Sequence, residues 1–136
     1  MLDIKLSRAK CGSGSVLINN KIYLIGGNAG EQILKEVEII DLQTLTVTRG
    51  PDLRVARDEM GVTVGSDGCI YAIGGFGGSD HSYLRCAEKL RIDSQEWELI
   101  PELSKKRRSM CTVSLPDGLY CIGGFDGEDY LKCVER

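Results

Sequence analysis

The 136-residue chain has little of what reactive centres and membrane spans are made from. It carries one histidine, His81, so a histidine-rich metal site or a Cys/His nucleophile has a single candidate partner. No apolar run approaches the roughly 18 residues of a spanning helix, and no apolar stretch follows the charged segment Met1 to Lys10 as a signal peptide requires. No membrane partner, cofactor or metal is therefore expected. Neither sign of charge dominates: 17 Lys+Arg against 20 Asp+Glu leave a net charge of -3, and nucleic acid is not an expected partner either. The six cysteines, Cys11, Cys69, Cys86, Cys111, Cys121 and Cys133, are an even number that would suit a secreted disulfide framework. With no leader and no C-x-x-C spacing, they read instead as reduced thiols of a cytoplasmic protein.

Glycine is what the chain has in excess, 17 residues that recur in pairs. Ile22-Tyr23-Leu24-Ile25-Gly26-Gly27 aligns with Ile70-Tyr71-Ala72-Ile73-Gly74-Gly75 and with Leu119-Tyr120-Cys121-Ile122-Gly123-Gly124. The pairs begin 48 and then 49 residues apart, from 26 to 74 and from 74 to 123. Downstream, Glu38, Glu88 and Glu135 fall in register, and an offset of 50 joins Val47 to Trp97, Pro51 to Pro101, Leu53 to Leu103 and Arg57 to Arg107. Each unit reads as four short strands, a to d, because apolar and β-branched runs alternate with Gly, Asp, Asn and Pro clusters. In the middle unit strand a falls near Gly61 to Val64, b at Cys69 to Gly74, c at Ala87 to Ile92 and d at Glu96 to Ile100. The a to b links Asn19-Asn20, Asp67-Gly68 and Pro116-Asp117-Gly118 are hairpin chemistry. A four-stranded antiparallel unit at this period is one blade of a β-propeller.

The run of Arg, tight turn, Ile-Tyr-x-Ile-Gly-Gly, Glu, Trp and Pro-x-Leu resembles the kelch repeat, over essentially the whole chain. The expected fold class is all-β: kelch-type propeller blades, with blade 1 at about 8–50, blade 2 at about 57–100 and an incomplete blade 3 at about 107–136. Three positions depart from the pattern: Val47 replaces the Trp, Lys10 the Arg and Arg91 the Asp seen as Asp41. The recurring residues are given architectural roles. Tyr23, Tyr71 and Tyr120 should pack between blades, and Gly26, Gly74 and Gly123, with Gly27, Gly75 and Gly124, should lie where backbone approaches too closely for a Cβ. Trp97 should fill a blade rim. Glu38, Glu88 and Glu135 need cationic partners in an apolar setting, for which Arg57 and Arg107 are the candidates.

Three blades do not close a ring, since propellers have about four to eight. Met1 to Leu6 matches only the tail of a d strand. Either the chain is part of a longer propeller of about 290 residues, six copies of the unit, or two three-blade chains assemble into one homodimeric ring. The third copy's Glu135-Arg136, which should continue into a strand, favours the former.

In an up-and-down blade the b–c and d–a loops emerge on one face, and here they are the longer and more varied segments. Binding residues usually sit on such loops. The candidates are Asn28, Arg54, Phe76, Asp80, His81, Tyr83, Arg108, Phe125, Asp126 and Tyr130, aromatic and charged groups suited to a protein or peptide ligand. The run Lys105 to Arg108 also reads as a solvated link with Arg107 turned inward, and His81 as a plain surface residue. The resemblance implies a protein-interaction module, in many relatives the substrate-recognition part of a BTB-containing cullin ubiquitin-ligase adaptor and in others an actin-associated scaffold. A propeller enzyme of the carbohydrate or small-metabolite class is the rival. One histidine cannot furnish a galactose-oxidase-type copper site, and no nucleophile elbow or phosphate loop is present, so no catalytic residue is assigned.

Overall fold

A computed structural model describes residues 4–136 of the chain. Those residues form fourteen short strands and no helix, so no helix is long and apolar enough to cross a membrane. Blade 1 is an antiparallel sheet of β1 (Gly14–Ile18), β2 (Lys21–Ile25), β3 (Val37–Asp41) and β4 (Thr46–Arg49), in that order. After β5 (Arg57–Asp58), blade 2 is built from β6 (Gly61–Val64) and β7 (Ile70–Ile73). It continues, past β8 (Phe76–Gly77) and β9 (Ser82–Tyr83), with β10 (Ala87–Leu90) and β11 (Glu98–Ile100). Its main sheet runs β6-β7-β10-β11. Blade 3 has three strands, β12 (Cys111–Leu115), β13 (Gly118–Ile122) and β14 (Val134–Glu135).

The turns explain why each blade folds on itself. Asn19 and Asn20 both take positive φ, 49° and 61°, the backbone of a two-residue hairpin whose twist matches its strands. In blade 2 the Asp67 carboxylate accepts from the Cys69 amide and the Tyr71 hydroxyl, at 3.1 and 2.9 Å. Burial, with Asp67 beside it, pushes the Tyr71 hydroxyl up to about 12. Strands c and d of blade 2 are shorter than the sequence suggests. Strand c stops at Leu90 and d starts at Glu98, because the Ser94 hydroxyl bonds both the amide and the carbonyl of Glu96 and commits those residues to a turn. Ile4 to Leu6, aligned with a d-strand tail, form no strand; Met1 to Asp3 lie outside the described residues.

The inner strands β1, β6 and β12 lie side by side, and each blade packs one face on the next. Tyr23, Ile25 and Val37 of blade 1 form one core with Met60, Ile70, Ala72, Leu90 and Trp97 of blade 2. Trp97, fully buried, donates its indole N–H to the Pro51 carbonyl at 3.0 Å, which pins the rim of blade 2 to the link leaving blade 1. A smaller core joins Ile73 and Ala87 to Cys121, with Tyr71 and Leu119 against it. Tyr23 is thus buried between blades and Tyr71 half-buried, whereas Tyr120 faces the open side of blade 3 and bonds Asp117. All six cysteines are unpaired. Burial pushes the Cys69 and Cys121 thiols up, which suits inert core positions.

Candidate protein-binding face

The face is anchored by one buried ion pair per blade. Arg57 sits at zero exposure and donates from Nη2 to Glu88 at 2.7 Å and from Nη1 to the carbonyls of Gly74 and Cys86 at 2.9 Å. Arg107 repeats this with Glu135 at 3.3 Å and the Gly123 carbonyl at 3.0 Å. The carboxylates also hold the incoming link, since Glu88 accepts from the Arg54 and Val55 amides and Glu135 from the Ser104 amide. In blade 1, Lys10 takes the place of the arginine beside Glu38. Burial pushes the Glu38 carboxyl up, but the Lys10 ammonium and the Ser7 amide outweigh it and hold it below its ordinary 4.5. A depressed carboxylate contributes stability above its unfolded pKa and loses it as pH falls through the folded one. Wild type should therefore lose melting temperature more steeply than Glu38→Gln as pH drops from about 5 to 3. Parallel melting curves for the two would show that the pair contributes nothing.

With each link held, its next residues run antiparallel to the b–c loop. Arg57 and Asp58 pair with Gly77 and Phe76, and these with Ser82 and Tyr83, to make a second three-stranded sheet where the sequence suggested only loops. Single bridges repeat it: Cys11 with Asn28 and Asn28 with Ile33 in blade 1, Arg108 with Phe125 and Phe125 with Tyr130 in blade 3. Strands of one or two residues carry no sequence period, so nothing announces them.

The small sheets of blades 2 and 3 gather half of the candidate residues. Phe76, Tyr83, Phe125 and Tyr130 form a ladder across blades 2 and 3, with successive ring centroids 5.3, 5.7 and 5.1 Å apart. The Arg108 guanidinium carbon lies 5.8, 5.2 and 5.9 Å from the Phe76, Tyr83 and Phe125 rings, within cation–π range of all three. Glu59 steadies it at 3.6 Å and also accepts the Ser109 hydroxyl. Tyr130, 89% exposed, closes the ladder beside a cleft of about 390 Å³ lined by Arg108, Ser109, Gly124, Phe125 and Leu131. Tyr83, by contrast, is half-buried beneath Gly127, so truncating it would disturb packing as well as recognition.

The other candidates are not part of this cluster. Arg54 reaches back to the Trp97 carbonyl at 2.5 Å and, with Asp80 and Lys35, lines a separate groove between blades 1 and 2. Asn28 donates to Asp58 at 3.0 Å, across the first blade junction. His81 sits at a turn tip with φ of 48°. Asp126 accepts from the Glu128 and Asp129 amides, which hold its carboxyl below the usual range and shape its loop. Glu59 and Ser109 were missed by the sequence reading. Their signal was register: both align with Gly12, and all three have positive φ, 64°, 48° and 52° in chain order. Among the described residues no three His, Cys, Asp or Glu side chains converge as a metal site would need.

The kelch motif model matches residues 9–54, 61–104 and 106–136, nearly the whole chain. The chain belongs to the kelch-repeat family. An Arabidopsis thaliana sequence designated an F-box/kelch-repeat protein is 31% identical over 108 residues, 76% of this chain and 26% of the relative. Mouse Kelch-like protein 8 is 32% identical over 68 residues, 50% of this chain and 11% of the relative. Vaccinia virus Kelch repeat protein C2 is 29% identical over 108 residues, 79% of this chain and 20% of the relative. The kelch chain thus spans about a quarter or less of the length of these relatives.

Proposed function

We propose that this kelch chain takes a protein or peptide segment on the aromatic ladder of its loop face, as the substrate-recognition region of a ubiquitin-ligase adaptor. Kelch repeats indicate protein–protein interaction, and relatives designated F-box/kelch-repeat and Kelch-like support the adaptor role. The observation that carries the reading is Arg108 among three rings. Binding hot spots are enriched in aromatics and arginine, and here an arginine, one-third exposed, is already held in place by Glu59 and the rings, so little rotamer freedom is left to lose on binding.

The test is a peptide selected from a random display library on the wild-type chain, then measured against Arg108→Ala and Tyr130→Ala. Each should weaken it by about tenfold or more, while thermal stability stays within about 0.5 kcal/mol for the exposed Tyr130. Undiminished binding to the double variant would move the interaction to another surface.

A further inference from the structure

The groove between blades 1 and 2 is separate from the aromatic ladder, and both of its walls belong to complete four-stranded blades. We propose that it is a thiol-modification site, in which Cys86 forms a mixed disulfide with an anionic peptide disulfide of the glutathione class. This does not depend on what the ladder binds.

The groove has a volume of about 550 Å³, within the roughly 300–1,000 Å³ of small-molecule sites. One wall is the link Arg54-Val55-Ala56 leaving blade 1, with Lys35 beside it, and the other is the b–c loop of blade 2 from Gly78 to Asp80. Gly78 donates to the Ala56 carbonyl at 2.9 Å, and Glu88 holds the Arg54 and Val55 amides. Both walls are therefore fixed before anything enters.

Charge decides what enters. Lys35 is exposed and forms no ion pair among the described residues, and the Arg54 side chain is 52% exposed with Glu96 3.8 Å away. Asp80, on the opposite wall, is the one acid of the lining. A small peptide whose carboxylates outnumber its ammonium groups complements this arrangement, carboxylates toward the two cations and ammonium toward Asp80.

The reacting atom lies inside the groove. Cys86 is half-buried, and Arg57 donates from Nη2 to its Sγ at 3.3 Å. Glu88 matches the charge of Arg57, so what the sulfur gains is a fixed N–H donor that aims its own proton elsewhere. In the exchange the Cys86 proton leaves to solvent, Sγ attacks one sulfur of the peptide disulfide, that S–S bond breaks, and the departing thiolate takes up a proton. The disulfide itself is the oxidant. No other thiol combines these features. Cys69 and Cys121 are buried, with their thiols pushed up by burial. Cys11 and Cys111 are exposed without an N–H donor on sulfur among the described residues. Cys133 has a donor in Arg107 at 3.2 Å, but the b–c loop of its blade carries Asp126, Glu128 and Asp129, which repel an anion.

The test uses the 136-residue chain with Cys11→Ser and Cys111→Ser, which removes the exposed thiols outside the groove. The reduced protein is treated in parallel with anionic glutathione disulfide, cationic cystamine and uncharged hydroxyethyl disulfide, and adducts are located by peptide mass mapping. Each rate is taken relative to that of the urea-unfolded chain, which removes the intrinsic reactivity of the reagent. Cys86 should be the first thiol modified, with glutathione disulfide favoured over cystamine by about tenfold or more. Lys35→Glu should remove most of that preference while the melting temperature holds, as for other exposed substitutions. Protection of Cys86 until the chain unfolds, equal relative rates for the three reagents, an unchanged preference in Lys35→Glu, or modification led by Cys133 would overturn the proposal.

Discussion

Arg57→Ala should destabilise the protein by about 3–5 kcal/mol, the usual cost of removing one partner of a buried ion pair. The figure rests on what is left behind. Glu88, also at zero exposure, would keep a charge with only the Arg54 and Val55 amides to hold it, and the carbonyls of Gly74 and Cys86 would lose their donor. Arg57→Lys should cost less, because blade 1 already uses Lys10 in this place, but one ammonium cannot reach a carboxylate and two carbonyls as a planar fork does. Replacing the pair together, Arg57→Met with Glu88→Leu, should lose less than Arg57→Ala alone, since no buried charge then remains. Urea denaturation of the three variants checks the order. If Arg57→Ala unfolds at the wild-type midpoint, the pair is not what holds the link to the blade.

The blade was legible because its architectural residues answer to the same constraint three times. Tyr23, Tyr71 and Tyr120, the glycine pairs and the glutamates recur at nearly fixed offsets, β1 and β2 abut the Asn19-Asn20 turn, and β6 and β7 fall within a residue of their expected bounds. Family models over three repeats agree with that reading. The candidate face was legible only as a side of the molecule. That Arg108 lies over rings from two blades depends on the radial approach of blade 3 to blade 2, which no linear spacing encodes. The departures were visible, but their consequences were not. Lys10 stood out only as a departure, with Arg57 and Arg107 the expected partners of the glutamates, yet the fold places Lys10 itself beside Glu38 and adds the Ser7 amide to the same carboxylate.

Gly74→Ala should be far more damaging than Gly68→Ala, although both glycines sit at positive φ in the same blade, 60° and 76°. An alanine forced into this left-handed region costs about 1–2 kcal/mol in either place. Around Gly68 there is nothing within 4 Å of an added Cβ, so backbone strain should be the whole effect. Around Gly74 the Cβ would lie 2.5 Å from both the Arg107 carbonyl oxygen and the Met110 terminal methyl. A methionine tip can swing away. The carbonyl cannot, because it accepts the Gly75 amide at 2.8 Å and closes the junction between blades 2 and 3. The two backbone segments must therefore separate, loosening Ile73 and Ala87 from Cys121, and the loss should reach about 3 kcal/mol or more. Denaturant midpoints for the two variants separate the causes. Equal losses would mean that Gly74 is retained for its backbone angle alone, whereas a gap of about 2 kcal/mol measures how tightly one blade's backbone rests on the next.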